Sequence, residues 1–274
     1  MHRIILHLRS IFFPKYILCA LLLIISPCYS VLYPCDKEKR SVLRVGTDGI
    51  YPPHSFHSKN GIGELIGFDI EIIKDIANRL NLKIEFFETA VSGLIAGLDT
   101  NFYDVLVNVA ITPNRLKKYI FSTPYITHNL LLIVRINENN IHSFKDLEKK
   151  KVVQILGTDL SQFAKELTSK LIFSNNFEQS LQLLLSKRAD ATMIPDIPFL
   201  NFLEIRPNDG RLFKIADHIK NNNSIAFMLR KDDTTLKKSI NEALCEIYLD
   251  GTYKKIFDKY FDESVISNVK VCSS

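Results

Sequence analysis

Glycine and proline are scarce in this 274-residue chain, at ten each, which excludes a collagen-like or proline-rich disordered polymer. An excess of one charge is also missing. The formal charge is +5, but the first thirty residues hold Arg3, Arg9 and Lys15 and no acid, so the remainder keeps 32 bases against 30 acids, or +2. Such a balance gives no reason to expect nucleic acid as a partner. No internal repeat is visible. No CxxC pair or Cys/His cluster offers zinc its ligand spacing. The Gly-x-Ser-x-Gly elbow, the Walker loop and the Gly-x-Gly-x-x-Gly fingerprint are all missing. The sequence therefore predicts no metal, no cofactor and no assembled nucleophile. What remains is 46% apolar and 24% charged residues, the make-up of a soluble protein with one large or two modest cores.

The N-terminus has its own pattern. Met1 to Lys15 is basic, and Tyr16 to Ile25 is an unbroken apolar run of ten. Ten helical residues rise about 15 Å, half of a bilayer core of about 30 Å. Pro27 ends the run, and Cys28-Tyr29-Ser30 places small residues where a signal peptidase cuts. Residues 1–30 read as a secretory signal peptide cleaved after Ser30. A membrane anchor beginning near Ile11 is the competing reading, interrupted by Pro14-Lys15, and lipidation of Cys28 is a further alternative that Pro27 disfavours.

Export makes a disulfide expected among Cys35, Cys245 and Cys272. Domain termini are often close in space, so the predicted pair is Cys35 with Cys272. Cys245 falls in an apolar helical stripe and reads as a buried thiol. His54 and His57 read as solvated loop histidines without carboxylate company, not as a metal site.

The mature chain alternates strands and helices. Val42 to Val45 is β-rich, and Phe68, Ile72, Ile76 and Leu80 recur on one helical face. Lys83 to Phe87 is a strand, Leu94, Leu98 and Phe102 suggest a helix, and Asp104 to Ala110 is the next strand. This order predicts parallel sheets with helical crossovers. The pattern restarts with a strand at Asn129–Ile136, a polar break at Asn137–Asn140, and a cap-like Ser143 and Asp146. A strand over Lys151–Leu156 leads to a helix marked by Phe163, Leu167 and Leu171, a helix marked by Phe177, Leu181 and Leu184, and a strand at Asp190–Ile194. A second polar break, Lys220–Asn223, precedes a strand at Ile225–Leu229. A helix bearing Leu236, Ile240, Leu244 and Ile247 ends at Gly251, and another carries Ile256 and Tyr260. Two α/β lobes follow, with strands 129–136 and 225–229 as the crossings between them.

Candidate site residues sit after strands. Thr112 and Pro113 are suited to the N-cap and first position of a helix, which places Arg115 in its first turn. Open α/β sheets bind ligands at that end, and a guanidinium there can clamp a carboxylate. An ordinary surface arginine is the alternative. Gly157-Thr158-Asp159 also joins a strand to a helix and can present backbone N–H groups to an anion, or Asp159 simply caps the helix. Asp190 and Asp196 bracket a strand, and either can face an ammonium group or solvent. Asp48-Gly49-Ile50-Tyr51-Pro52-Pro53 follows the first strand, and its prolines stiffen a loop that holds Tyr51. These are parts for gripping a zwitterion.

Taken in order, these segments resemble the family 3 solute-binding proteins of polar amino-acid ABC transporters. The matching pieces are Leu43-Arg44-Val45-Gly46-Thr47-Asp48 with Tyr51-Pro52-Pro53, Gly67-Phe68-Asp69-Ile70-Glu71, and Gly93-Leu94-Ile95-Ala96-Gly97-Leu98. Ile111-Thr112-Pro113-Asn114-Arg115, Phe121-Ser122-Thr123-Pro124-Tyr125, Leu156-Gly157-Thr158 and Leu249-Asp250-Gly251-Thr252-Tyr253-Lys254-Lys255-Ile256 continue the set, which covers about residues 42–261.

The resemblance implies an α/β, two-lobed periplasmic-binding-protein fold of type II. Each lobe would be a sheet flanked by helices, and two hinge strands would join them. Its boundaries would be a signal peptide at 1–30, lobe 1 at 41–132 and 226–264, lobe 2 at 133–225, and a C-terminal tail at 265–274. It implies that Arg115 and Thr158 hold the α-carboxylate of an amino acid. Asn108 and Ala110 would give main-chain contacts, Tyr51 would pack on the ligand, and Asp196 would receive the α-ammonium. Asp48 and Gly157 join the predicted ligand set. Asn108 and Ala110 stand where the family often has Gly and Thr or Ser, Val91 replaces a usual aromatic, and His54 stands where Phe often follows Tyr-Pro-Pro. The acid of the second lobe comes one residue late, at Asp196. The resulting wider pocket suggests cystine first, with Asp159 serving a second ammonium; arginine, histidine and glutamine stay open. The expected protein is a monomeric, non-catalytic binding component of the periplasm that docks on an inner-membrane permease. The alternatives are a cyclohexadienyl-type dehydratase on the same scaffold and a soluble sensor domain.

Overall fold

A computed structural model describes residues 40–58, 62–261 and 272, with the backbone alone at 221–223. The predicted signal peptide, Cys28 and Cys35 lie outside the described residues. Strand β1 (Val42–Thr47) leads into a small sheet of β2 (Ile50–Tyr51), β3 (Ser55–His57) and β4 (Leu65–Ile66). Then follow α1 (Phe68–Arg79), β5 (Lys83–Glu88), α2 (Val91–Asp99), β6 (Val105–Ala110), α3 (Pro113–Lys118), β7 (Tyr119–Phe121) and β8 (Ile126–Arg135). After a 3₁₀ turn at Phe144–Leu147 come β9 (Lys151–Ile155), α4 (Asp159–Leu167), β10 (Lys170–Ser174), α5 (Phe177–Leu185), β11 (Ala191–Pro195), α6 (Asp196–Ile205) and α7 (Pro207–Gly210). The last elements are β12 (Phe213–Arg230), α8 (Thr234–Leu249) and α9 (Thr252–Tyr260).

The large sheet has the order β10-β9-β11-β8-β12-β6-β1-β5, with β7 beside β12. Its two ends are parallel: β1 lies between β5 and β6, and β9 between β10 and β11. Its middle is antiparallel, because β8 pairs with β11 and with β12, and β12 pairs with β6. Each parallel end with its helices is one lobe, and the two long strands join them. β8 pairs with β11 of one lobe, β12 with β6 of the other, and the two pair with each other, so hydrogen bonding runs unbroken from lobe to lobe. The polar stretch 220–223 is therefore no break. It lies inside β12, where the register against β8 shifts between Ile219 and Asn223. Backbone pairing does not depend on side-chain polarity, so an Asn run can continue a strand.

Apolar spacing builds the cores. Phe68, Ile72 and Ile76 on α1 are fully buried, and they pack with Leu43 and Val45 of β1 and Ile240, Leu244 and Ile247 of α8. Each is worth about 1.5–3 kcal/mol relative to exposure. On β8, Leu130 and Leu132 join one core of the second lobe while Leu131 and Ile133 join the other. A strand covered on both faces reads as a continuous apolar run, as this one does. Gly67 starts α1 at φ +132°, where an added Cβ would lie 2.2 Å from the His54 carbonyl oxygen.

Three expectations are corrected. Leu171 belongs to β10, not to the preceding helix, because α4 ends at Leu167, the Thr168 hydroxyl donates to the Lys150 carbonyl, and the chain then pairs with β9. Helix α2 stops at Asp99, and Phe102 packs edge-on against Phe87 from outside it. The disulfide joins Cys245 to Cys272, with Cα atoms 5.0 Å apart, so Cys272 is not bonded to Cys35 and Cys245 is not a free thiol. A bridge needs Cα atoms within about 7 Å. Cys272 thus lies against α8, a proximity that linear distance could not reveal.

Candidate functional site

The C-terminal ends of β1, β6, β9 and β11 all point toward one cleft. A cavity of about 1130 Å³, part of it open to solvent, lies there. Tyr51, Asp48, Asn108, Ala110, Arg115, Gly157, Thr158 and Asp159 all line it. The structure thus gathers eight of the nine predicted ligand residues on one cavity.

Arg115 is held from below. The Thr112 side chain accepts from the Arg115 N–H at 3.3 Å and Pro113 occupies the first turn, as the sequence predicts. Arg115 Nη1 donates to the Ala110 carbonyl at 3.0 Å, which aims the guanidinium back over the end of β6. The same Nη1 lies 3.5 Å from Asp159 Oδ1, across the cleft. Its other two nitrogens remain to pair with a carboxylate. Ala110 therefore acts here through its carbonyl as an anchor for Arg115. Asn108 adopts φ +53°, and its N–H donates to the Tyr125 hydroxyl at 3.1 Å. It lies at a bulge, where the register of β6 against β12 shifts between Ala226 and Met228.

The facing wall is the start of α4. Thr158 caps it, accepting from the Ser161 N–H at 3.0 Å and donating to the Ile155 carbonyl at 2.8 Å. Gly157, at φ +87°, brings the two lobes together: an added Cβ would lie 2.9 Å from Ser92 Cα at the start of α2.

Asp48 lies on the first-lobe wall. Burial pushes its carboxyl up to about 6 against the pull of the Ile50 N–H. The Tyr51 hydroxyl is pushed far above its ordinary range, first by burial and then by the charges of Asp48, Asp159, Asp196 and Asp69.

Asp196 does not line the cavity directly. It opens α6 and accepts from the Asn129 N–H at 3.1 Å and the Ile197 N–H at 2.9 Å. Burial raises its carboxyl, but His128, Asn129 and Ile197 outweigh that and hold it below its ordinary value. Asp190 lies at the other end of β11, accepting from the Lys151 N–H at 2.9 Å and facing Arg135 at 3.6 Å, so it is no ammonium acceptor here. The two loop histidines are corrected as well. His54 is fully buried against Asp69, with Nδ1 to Oδ2 at 3.2 Å, and His57 bonds Glu88 at 2.7 Å. Carboxylates distant in sequence supply the company that the loop lacks.

Sequence reasoning missed His128 and Gln154, both of which line the cavity. Gln154 is 3% exposed and its Nε2 has no hydrogen-bond partner. A polar residue inside Val152-Val153-Gln154-Ile155 was the available signal for it. His128 carried none, because its neighbours come from other elements.

This architecture defines a class: two lobes built on the parallel ends of one sheet and joined by two long strands, with a ligand cleft between them and a cationic clamp on one lip. The family model of the bacterial extracellular solute-binding proteins, family 3, matches residues 43–263, and the chain belongs to that family. A probable amino-acid ABC transporter-binding protein of Haemophilus influenzae is 35% identical over 225 residues, 82% of this chain and 86% of the relative. The L-cystine-binding protein TcyA of Bacillus subtilis is 33% identical over 228 residues, 83% of this chain and 84% of the relative. The structure of an ancestral arginine-binding protein bound to arginine superposes with a TM-score of 0.75 at 35% identity, covering 82% of this chain and all of the other. No helix among the described residues is long and apolar enough to cross a membrane.

Proposed function

We propose that this protein is the periplasmic, monomeric binding component of an amino-acid ABC importer. It is exported by the N-terminal signal and delivers its ligand to an inner-membrane permease. The observation that carries the reading is Arg115 on the lip of the first lobe, 3.5 Å from Asp159 on the second. A ligand carboxylate at Arg115, with its ammonium group toward Asp196, touches both lobes at once. Only such contacts stabilise a closed form, because a ligand shifts an equilibrium by its differential affinity. Cystine is the first choice, supported by the relatives named for it, and Asp159 or Asp48 would meet its second ammonium. Among the described lining residues Arg115 is the one Lys or Arg, against two carboxylates, Asp48 and Asp159. That charge count supports arginine as the next choice.

A thermal-shift screen of the standard amino acids and cystine tests the reading, since a ligand at 100 times its Kd stabilises by about 2.7 kcal/mol. Arg115→Ala should weaken binding by about 2–5 kcal/mol, roughly 30-fold or more, with the ligand-free melting point nearly unchanged. Unchanged affinity by calorimetry would remove Arg115 from the site. The dehydratase reading gains one observation, an Asp48 carboxyl pushed up to about 6, where it can hold a proton as a general acid must. Turnover of prephenate would decide for it.

A further inference from the structure

Behind the cleft wall run four titratable side chains that ligand gripping alone does not require. Asp69, in the first turn of α1, faces His54 from the loop after β2, with His54 Nδ1 3.2 Å from Asp69 Oδ2. The His54 ring meets the His128 ring edge-on at a centroid distance of 4.9 Å. His128 Nδ1 lies 3.7 Å from Asp196 Oδ1. Asp69, His54 and His128 are buried, and neither ring has a hydrogen bond to a protein group. His128 pairs with Asn223 where the register of the two lobe-joining strands shifts. The chain of groups thus runs from the core of the first lobe to the start of α6 in the second, and its His128 member also lines the cavity.

We propose that His128 is a positioning residue for Asp196, and that its proton competes with the ligand's ammonium group for that carboxylate, so that ligand capture is coupled to pH. The proposal rests on Asp196 as the ammonium acceptor. The other partners of Asp196, Asn129 and the Ile197 N–H, are neutral donors that orient the carboxylate and leave its charge. His128 is the group beside it that can switch between neutral and cationic. A neutral ring leaves the carboxylate to attract an ammonium. A protonated ring places a cation at the same oxygen and repels one. Burial lowers the affinity of this ring for a proton, as does neighbouring His54, while Asp196 raises it. At neutral pH the ring is thus uncharged and the site is ready. Linkage is reciprocal: a bound ammonium must make the ring harder to protonate, and acid must weaken binding.

The titratable groups facing the ring are His54 from the loop after β2, Asp69 from α1 and Asp196 from α6. Asp48, on the same cavity, titrates near pH 6 and adds a pH response of its own. An affinity profile alone therefore does not isolate His128. The test follows the ring itself in the full mature protein: histidine ring NMR signals from pH 4 to 8, without ligand and with saturating L-cystine or L-arginine, assigned with His128→Asn. The expected result is a His128 midpoint that the bound probe moves to lower pH, at a proton concentration at least tenfold higher. Calorimetry at pH 6 in buffers of different ionisation heat should show proton release that shrinks in His128→Asn. A midpoint equal in both states, or a ring neutral down to pH 4 in both, overturns the coupling. If neither probe nor any other amino acid binds at pH 7.5, the assignment of the site fails and takes this proposal with it. That outcome differs from binding without a midpoint shift.

Discussion

At the residue scale, Asp48 carries a cost that the cleft needs. Its carboxyl, raised by burial to about 6, binds a proton more tightly in the folded chain than in the unfolded one. The associated stability is present below the unfolded value near 3.9 and is lost as pH rises through about 6. Asp48→Asn removes that loss. The melting point of the variant minus that of the ligand-free protein should climb between pH 4 and pH 7, by about 2–4 °C for each kcal/mol recovered. A difference that stays flat across this range would show that Asp48 is solvated. Ligand affinity should fall in the same variant if Asp48 faces a ligand cation, so stability and binding move in opposite directions, as expected where function is held against stability.

At the element scale, the approach of the two lobes depends on the turn between β9 and α4. Gly157 combines φ +87° with contact to the backbone of α2 at Ser92. An alanine there is strained by about 1 kcal/mol in either state of the cleft and also pushes α2 away when the lobes close. Gly157→Ala should bind at least about tenfold more weakly than its small loss of stability explains, with a larger radius in solution scattering under saturating ligand. Equal affinity and equal radius would mean that the α2 and α4 ends do not meet in the working protein. The N-terminal caps on either side of this contact are simpler. Thr112, Thr158 and Asn176 each accept from an N–H of the following helix, so the first turns stay in place when the ligand is absent.

At the scale of the whole molecule, the Cys245–Cys272 bridge ties Cys272 to α8 across a separation of 27 residues. The entropy of closing such a loop is worth about 3–4 kcal/mol. Cys272→Ser, or reduction of the parent protein, should therefore lower the melting point by about 6–15 °C and leave affinity below that temperature unchanged, because neither cysteine lines the cleft. An unaltered melting point under reductant would place the stabilisation elsewhere.

Much was legible in the sequence by itself because it is local. Apolar spacing shows α1 and α8, since a helix face is written at intervals of three and four residues. Thr112-Pro113 shows the start of α3 and, through it, the position of Arg115 at the end of a strand. Strand and helix alternation yields the parallel halves, and the ordered motifs give the two lobes. Tertiary structure alone decided what depends on elements far apart in the chain. It chose Cys245 as the partner of Cys272, continued β12 through an Asn-rich stretch, drew Leu171 into β10, and buried His54 against Asp69. It also set His128 beside Asp196. A residue's partners across the fold are fixed by packing and register, and neither can be read from the residues next to it in sequence.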